Sequence, residues 1–437
     1  IYTQSEKLDD LEQYFAMARG IQRHDLELPA MEMTKWFDTN YHYIVPEIKL
    51  NQRYHFASTK VLDDYVEAKN AGINTRPVLL GPVSYLLLSK SSSPDSNPLD
   101  TLPDLVKVYV EILKRLAAAG AEWVQMDEPA LVLDLDKAVQ SSFTNVYSQL
   151  AGVADIKILM ATYFGGLEDN LSLAVSLPTA GLHIDLVRAP GQLESVLSQL
   201  PDEKILSLGV IDGRNVWRTD LDAAFAQIQK AVLSLGSDRV QIAPSCSLMF
   251  SPHDLELETG LDAELYSWLA FARQKLDELV LLKRAVNQGV EAVAEPFRLS
   301  RSAIESRRSS ARTHNPQVRQ RLAQIDEAML HRNHDYKTRK AVQDRELHLP
   351  MLPTTTIGSF PQTAEVRSQR AARIKGSITE EAYNDFLKSE IARTIKLQEE
   401  IGLDVLVHGE FERSDMVEYF GEQLTGIPTC TTSSAAT

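Results

Sequence analysis

The chain has 437 residues, 44% of them hydrophobic, and is therefore long enough to bury more than one ordinary core. Its formal net charge of -15 argues against nucleic acid or a membrane surface as a partner, since both require a cationic face, and favours small-molecule substrates. Cys246 and Cys430 form neither a disulfide framework nor a CxxC zinc pattern, and we expect a cytoplasmic protein.

Residues 41–248 alternate short apolar runs, rich in β-branched residues, with longer segments of helical periodicity. This order predicts β/α units around a parallel sheet, with strands at residues 41–48, 77–80, 123–126, 156–162, 181–186, 205–211 and 240–244. Doubly wound sheets often show a glycine fingerprint after the first strand, and no GxGxxG sequence occurs here. The pattern therefore favours an α/β fold of the TIM-barrel type.

The unit that contains the third predicted strand shows this logic. Thr101 and Asp104 have the spacing of a capping box, a helical pattern follows, and Gly120 supplies a left-handed stop. The next strand ends in Asp127 and Glu128, at the rim where barrel enzymes place their chemistry. Retaining glycosidases also use two carboxylates, but neighbours on a strand point to opposite faces, so we do not expect this pair to flank one bond.

The sequence changes character over residues 255–345, where no strand pattern occurs. An amphipathic helix is predicted at residues 265–282, followed by an Arg-rich helical segment at 301–321 that we interpret as a solvated face rather than an anion site. After residue 353 the β/α pattern resumes, with strands predicted at 355–360 and 403–407 around a long helix. This arrangement predicts a second barrel that begins after a helical linker.

Collinear segments across nearly the whole chain resemble the cobalamin-independent methionine synthase family. They are EMTKWF and NYHY within residues 32–43, PVLLGPV at 77–83, WVQMDEPAL at 123–131, DGRNVW at 212–217, SCSL at 245–248, TTTIGSFPQ at 354–362, DVLVHGE at 404–410 and DMVEYFGE at 415–422. The resemblance implies two (β/α)8 barrels, both incomplete in this chain.

The domain boundaries that we predict follow from this resemblance. Residues 1–255 form an N-terminal barrel without its first strands, and residues 256–350 form a helical closure and linker. Residues 351–428 form the first two β/α units of a C-terminal catalytic barrel, and residues 429–437 are a disordered or foreign tail.

The family resemblance also implies a reaction, the transfer of a methyl group from polyglutamylated 5-methyltetrahydrofolate to the zinc-bound thiol of homocysteine. Zinc keeps the thiol deprotonated near neutral pH. In the family the zinc ligands come from later strands of the second barrel, so we assign no metal ligand and no catalytic residue to this chain, and expect it to be inactive alone. We expect the full-length protein to be a monomer.

The resemblance assigns substrate contacts to five positions. Ile357, Gly358 and Ser359 would lie against the amino-acid group of homocysteine, and Glu410 would accept its ammonium. Lys35 would contact the folate, at its anionic glutamate tail.

Two other groups of residues receive structural interpretations. Cys246 is expected to be a buried free thiol, because its barrel lacks a partnering His-x-Cys pair, and His42, His183 and His408 are not assigned as ligands. A non-catalytic paralogue or binding module, or a related barrel methyltransferase with another donor or thiol acceptor, remain the alternatives.

Overall fold

The computed structural model describes residues 9–23, 26–94 and 96–424, and the chain divides into two compact units at Arg307 and Arg308. This division lies inside the segment that we assign to the helical closure and linker. Cys430 and the tail predicted at residues 429–437 lie outside the described residues.

Strands occur in the first unit, and helices in both. The strands of the described residues are β1 (Ile21–Arg23), β2 (Leu26–Leu28), β3 (Met33–Lys35), β4 (His42–Ile44), β5 (Glu47–Ile48), β6 (Val78–Leu80), β7 (Lys90–Ser91), β8 (Trp123–Asp127), β9 (Lys157–Ala161), β10 (Gly181–Asp185), β11 (Ile205–Ile211) and β12 (Val240–Pro244). The first helices are α1 (Asp10–Arg19), α2 (Lys60–Asn70), α3 (Pro82–Leu87), α4 (Leu102–Ala118), α5 (Lys137–Leu150), α6 (Leu171–Ser176), α7 (Gln192–Gln199) and α8 (Leu221–Leu235).

The later helices complete the first unit and build the second. They are α9 (Ala263–Trp268), α10 (Ala272–Gln288), α11 (Ala294–Ser309), α12 (Pro316–Ala323), α13 (Glu327–Leu330), α14 (Tyr336–Leu347), α15 (Ala364–Ile374), α16 (Glu380–Ile401) and α17 (Met416–Gln423). No helix of the described residues is long and apolar enough to cross a membrane.

The first unit is built on a parallel sheet of six strands in the order β12-β11-β10-β9-β8-β6. Six of the seven predicted strands lie in it, and the α/β prediction is confirmed. Arg76, beside β6, donates to Gln125 at 3.1 Å and to Gln241 on β12 at 3.3 Å. Because β6 and β12 are the two edges of the sheet, one side chain can join them only if the sheet curls, as it does in a barrel.

The strand predicted at residues 41–48 is wrong. Its first half, β4, pairs antiparallel with β3, whereas β5 pairs parallel with β7, and neither belongs to the six-stranded sheet. Pro46 separates the two halves and has no backbone N–H, so one continuous ladder cannot pass through it. The apolar run is therefore divided between two small ladders.

The capping box predicted at Thr101 is also wrong, although the helix itself is confirmed as α4. The Thr101 hydroxyl donates to the carbonyl of Pro98 at 2.7 Å, inside a 3-10 turn that leads into the helix. Asp104 instead accepts from the backbone N–H of Tyr54 at 2.8 Å. Both side chains serve contacts that sequence spacing cannot show, whereas Gly120 has the predicted positive φ, +89°.

The single helix predicted at residues 265–282 is broken into α9 and α10. Between them the backbone N–H of Ala270 donates to Val216 at 2.9 Å, and Leu269 forms an isolated antiparallel bridge with Trp217. An extended segment that bonds to a neighbouring loop cannot keep its helical hydrogen bonds, so the periodicity is interrupted there.

In the second unit the strands predicted at 355–360 and 403–407 do not form. The two segments do run side by side, with the N–H groups of Asp404 and Val405 donating to Thr354 and a parallel bridge between Ser359 and Gly409. Each segment pairs only with the other within the described residues, and two-stranded ladders are marginal. Helices α15 and α16 nevertheless bury a small core with Val366, Tyr383, Leu387 and Phe411.

Candidate functional site

Two chain segments of the second unit meet where the homocysteine contacts are predicted. Ser359 and Gly409 form the parallel bridge, and the N–H of Phe360 donates to the carbonyl of Gly409 at 2.9 Å. Because the segments are parallel, both carboxyl ends emerge at the same edge. The structure therefore brings Gly358, Ser359 and Glu410 together although about fifty residues separate them in sequence.

The backbone at this edge has a conformation that depends on glycine. Gly358 is buried, with φ of +142°, and a Cβ built there would lie 2.5 Å from Oε1 of Glu410. Glu410 itself has φ of +61°, a left-handed value that is uncommon for a residue with a side chain. The carboxylate thus occupies the space that any other residue at position 358 would fill.

The charge of Glu410 is balanced by a neighbour that the sequence analysis missed. Nη2 of Arg413 lies 2.7 Å from Oε1 of Glu410, and Nη1 of the same guanidinium lies 2.5 Å from Glu412. Glu410 remains 26% exposed at its side chain, so the pair is accessible from solvent. In sequence, the only hint of this ion pair is the i,i+3 spacing of Glu410 and Arg413. Such spacing predicts a contact within a helix, and the residues around Glu410 show no helical periodicity.

The two remaining predicted contacts, Ile357 and Lys35, lie in different units of the chain. The side chain of Ile357 is fully exposed to solvent, so only its backbone adjoins the Gly358 edge. Lys35 lies in the first unit, exposed on β3, where its antiparallel partner is His42.

Asp127 and Glu128 separate as their alternation on the strand predicts. Glu128 is fully buried and accepts from the N–H of Ser84 at 2.8 Å and from the hydroxyl of Tyr147 at 2.9 Å. Burial raises the pKa of Glu128 to about 7, although these hydrogen bonds favour its charged form. Glu128 therefore anchors the first turn of α3, and does not face the same space as Asp127.

Asp127 faces the interior of the curled sheet instead. It accepts from Gln125 at 2.8 Å and from the hydroxyl of Tyr163 at 3.1 Å, and burial raises its pKa to about 6. Together with residues of other strand ends it lines a cavity of about 640 Å³, whose further walls include Trp36, Arg76, His183 and Cys246.

Cys246 is the buried free thiol that the sequence predicts, and His183 is a buried side chain in the wall of the same cavity. Cys246 is a buried free thiol, and burial raises its pKa to about 12. His183 bonds to Ser207 at 2.9 Å, and burial lowers its pKa to about 4, so the ring is neutral. Within residues 9–23, 26–94 and 96–424, no group of three or more His, Cys, Asp or Glu side chains could hold a metal ion.

Comparison with known proteins assigns both parts of the chain. The family model described as the cobalamin-independent synthase N-terminal domain matches residues 1–235, and the model of the catalytic domain of that synthase matches residues 352–436. The 5-methyltetrahydropteroyltriglutamate–homocysteine methyltransferase of Nitrobacter winogradskyi is 54% identical over 429 residues, which cover 94% of this chain and 56% of that protein.

A second curated relative is matched over a similar share of its length. The protein with the same name from Rhodopseudomonas palustris is 53% identical and covers 94% of this chain and 55% of its own length. Among solved structures, a B12-independent methionine synthase from Shewanella sp. in complex with selenomethionine has a TM-score of 0.44 at 17% identity, over 61% of this chain and 75% of that one. The chain thus spans about half the length of the curated relatives it matches.

Proposed function

Because this chain belongs to the cobalamin-independent synthase family, we propose that the complete protein transfers a methyl group from 5-methyltetrahydropteroyltriglutamate to homocysteine. The product is methionine. The names of the relatives supply the donor and the acceptor, and the geometry at Gly358 and Glu410 supports a site for the amino-acid end of the acceptor.

The observation that carries this proposal is the meeting of Gly358 with the carboxylate of Glu410. Homocysteine presents an ammonium group, whose strongest protein partner is a carboxylate. Glu410 provides one at a partly exposed chain edge, and the absence of a side chain at Gly358 makes room for that carboxylate. Because Ile357 and Ser359 on either side are exposed, an amino acid can approach this edge while its ammonium contacts Glu410.

Arg413 gives this site its geometry. Its contact with Oε1 fixes the rotamer of Glu410, and a carboxylate with about four lone-pair sites can still accept a bond from an ammonium. The ligand then meets an acceptor that is already oriented, so less conformational entropy is lost on binding.

Zinc belongs to the proposal for the complete protein and not to the described part of this chain. When bound, zinc would supply a deprotonated thiol at neutral pH. Since the described residues hold no suitable cluster, no step of the reaction is assigned to a metal ligand here. We also propose that the complete protein is a cytoplasmic monomer that acts on small molecules, and the net charge of -15 of this chain is in keeping with small-molecule substrates.

The test uses the complete protein, its purified donor and homocysteine. Wild type should form methionine, and Glu410→Gln should raise the Kd for homocysteine roughly ten- to hundredfold in calorimetry, because it removes a charge-assisted bond. Glu399→Gln is the matched control, since Glu399 is exposed on α16 and should leave the Kd unchanged.

Two results would overturn the proposal at different points. A complete wild-type protein that binds homocysteine but forms no methionine would be a binding module. An unchanged Kd in the Glu410→Gln protein would remove Glu410 from the site while leaving the reaction itself standing.

A further inference from the structure

The turn between β3 and β4 lies against the carboxyl ends of the main sheet. Phe37 packs on Phe164, which follows β9, with ring centroids 5.4 Å apart. Tyr41 packs on Phe250, which follows β12, at 5.4 Å, and its hydroxyl donates to the carbonyl of Met249 at 2.9 Å. The turn therefore rests on loops from both ends of a four-strand stretch.

Asp38, at the tip of this turn, engages the two loops in between. One carboxylate oxygen lies 3.0 Å from Arg188, which follows β10, and the other lies 2.5 Å from Arg214, which follows β11. Arg214 also donates to the backbone carbonyl of Asp38 at 2.8 Å. Although burial raises it, the two guanidinium groups hold the pKa of Asp38 below its usual value, so Asp38 is ionised at neutral pH.

Both arginines are themselves held in place by their own loops. Asp185 accepts from the N–H of Arg188 at 2.9 Å, and Asp212 accepts from the N–H of Arg214 at 2.8 Å. The Arg214 guanidinium also lies over the ring of Phe164, 5.2 Å from its centroid, and the side chain is only 18% exposed. A pair of oriented cations thus receives one carboxylate, which is a more defined arrangement than a flexible surface ion pair.

The loop with Arg214 is anchored in the core as well. Lys275 on α10 is fully buried, and its Nζ donates to Asn215 at 3.2 Å and to the carbonyl of Trp217 at 3.1 Å. Because Lys275 is buried, the packing of the first unit fixes the loop that carries Arg214. The ion pair between Asp38 and Arg214 therefore holds the turn at a fixed place relative to that loop.

Lys35 is the last residue of β3 and lies three positions before Asp38. The N–H of Trp36 donates to Tyr41 at 2.8 Å, which closes the turn directly after Lys35. A lysine has a long flexible stem, so the position of its ammonium depends on how firmly its backbone is held. Asp38 balances one of the two guanidinium charges, and Lys35 is an exposed cation at the start of this turn.

We propose that Asp38 is a positioning residue for the anionic tail of the donor: by fastening the turn to Arg188 and Arg214, it fixes Lys35 where a glutamate carboxylate binds. This inference rests on the proposed function and deepens it. In this proposal, the preference for a polyglutamate donor depends on the ion pairs of Asp38, although these do not contact the reacting atoms.

The experiment compares mono- and triglutamate forms of 5-methyltetrahydrofolate as donors for the complete protein. Asp38→Asn should raise the KM for the triglutamate donor about tenfold, with kcat and the KM for the monoglutamate donor changed less than about twofold, since only the tail contact is displaced. Adding Lys35→Met to Asp38→Asn should raise the KM by less than about twofold more, because both changes remove the same contact.

Two further variants control for folding and for the loss of any surface ion pair. Arg188→Gln removes one of the two arginine partners of Asp38 and should give a smaller rise in KM that is again confined to the triglutamate donor, because Arg214 still holds the turn. Asp222→Asn breaks a comparable exposed pair, with Arg301 at 2.6 Å, and should leave both KM values unchanged.

An equal rise in KM for both donors, an unchanged or lower KM for the triglutamate donor, or full additivity with Lys35→Met would overturn the inference. A wild-type protein that forms no methionine from either donor would instead overturn the proposed function, and the inference with it.

Discussion

The buried carboxylate of Glu128 should make the first unit less stable as pH rises. Its Oε1 accepts from Tyr147 at 2.9 Å and its Oε2 from the N–H of Ser84 at 2.8 Å, yet burial raises its pKa to about 7. Replacing it with glutamine keeps the shape and removes the ionisation. The unfolding free energy of Glu128→Gln should therefore depend less on pH than that of wild type.

The sign follows from proton binding. The pKa of Glu128 is about 7 in the folded protein against an ordinary 4.5, so the folded state holds the proton more tightly. The contribution of Glu128 to stability is greatest below pH 4.5 and is lost progressively as pH rises to about 7, by about 3 kcal/mol in total. The pKa of Asp127 is raised to about 6, so Asp127 also lowers stability as pH rises, over a lower pH range. This contribution is the same in wild type and in Glu128→Gln.

The assay is urea unfolding at pH 5, 6, 7 and 8, followed by tryptophan fluorescence. Trp36, Trp123, Trp217 and Trp268 are the four tryptophans of the chain and all lie in the first unit, so the signal reports that unit. Between pH 5 and 8, wild type should lose about 2.5 kcal/mol more stability than Glu128→Gln does, because part of the loss has occurred by pH 5. In Glu128→Gln, the amide NH2 group replaces one carboxylate oxygen and faces a buried hydrogen-bond donor, so one bond is lost. This loss should lower the unfolding free energy by about 1–3 kcal/mol at pH 5.

Glu122→Gln is the control, because Glu122 is exposed just before the same strand, β8. Its pH profile should follow that of wild type. Parallel profiles for wild type and Glu128→Gln would show that the Glu128 carboxyl does not hold its proton in the folded state, and would refute the reasoning.

Three further predictions address the core, the thiol and the glycine. Phe297→Ala should lower the unfolding free energy by about 4 kcal/mol in the same fluorescence assay, because its ring is fully buried, whereas Leu299→Ala, at a 46% exposed position, should cost under ~1 kcal/mol. In a Cys430→Ser chain, Cys246 should react with a disulfide reagent at pH 8 only after unfolding, since burial raises its pKa to about 12; rapid native-state reaction would contradict this. Gly358→Ala should raise the Kd for homocysteine about tenfold in calorimetry, because its Cβ would lie 2.5 Å from the Glu410 carboxylate, and wild-type binding would show that this edge is not used.

Where a segment is buried on both faces, the sequence predicted its structure closely. The strand at residues 205–211 matches β11 to the residue, because a largely apolar run that is buried in a parallel sheet leaves few alternatives. The strand at 240–244 also matches β12, although β12 is only partly buried at the edge of the sheet. The run at 41–48 failed because Pro46 divides it, and the second-unit strands failed because each has one neighbour among the described residues. The periodicity of apolar residues shows which side chains are buried. It does not show which distant segment supplies the backbone hydrogen bonds that make a strand.

The candidate site divides in the same way. Gly358, Glu410 and Lys35 were chosen by resemblance to a family, and no local pattern indicates that Glu410 would fill the space beside Gly358. The link from Asp38 to Arg188 and Arg214 spans 150 residues or more and leaves no trace in sequence spacing.

The sequence by itself determined the α/β class, the approximate positions of the six strands of the main sheet and the family, because these depend on local apolar patterns and on collinear motifs. The tertiary structure alone decided that Asp38 faces Arg188 and Arg214, because these side chains are close in space but 150 or more positions apart in sequence. The direction of each pKa shift followed from that placement, with Glu128 sealed among α3 and α5 and Asp127 turned toward the cavity.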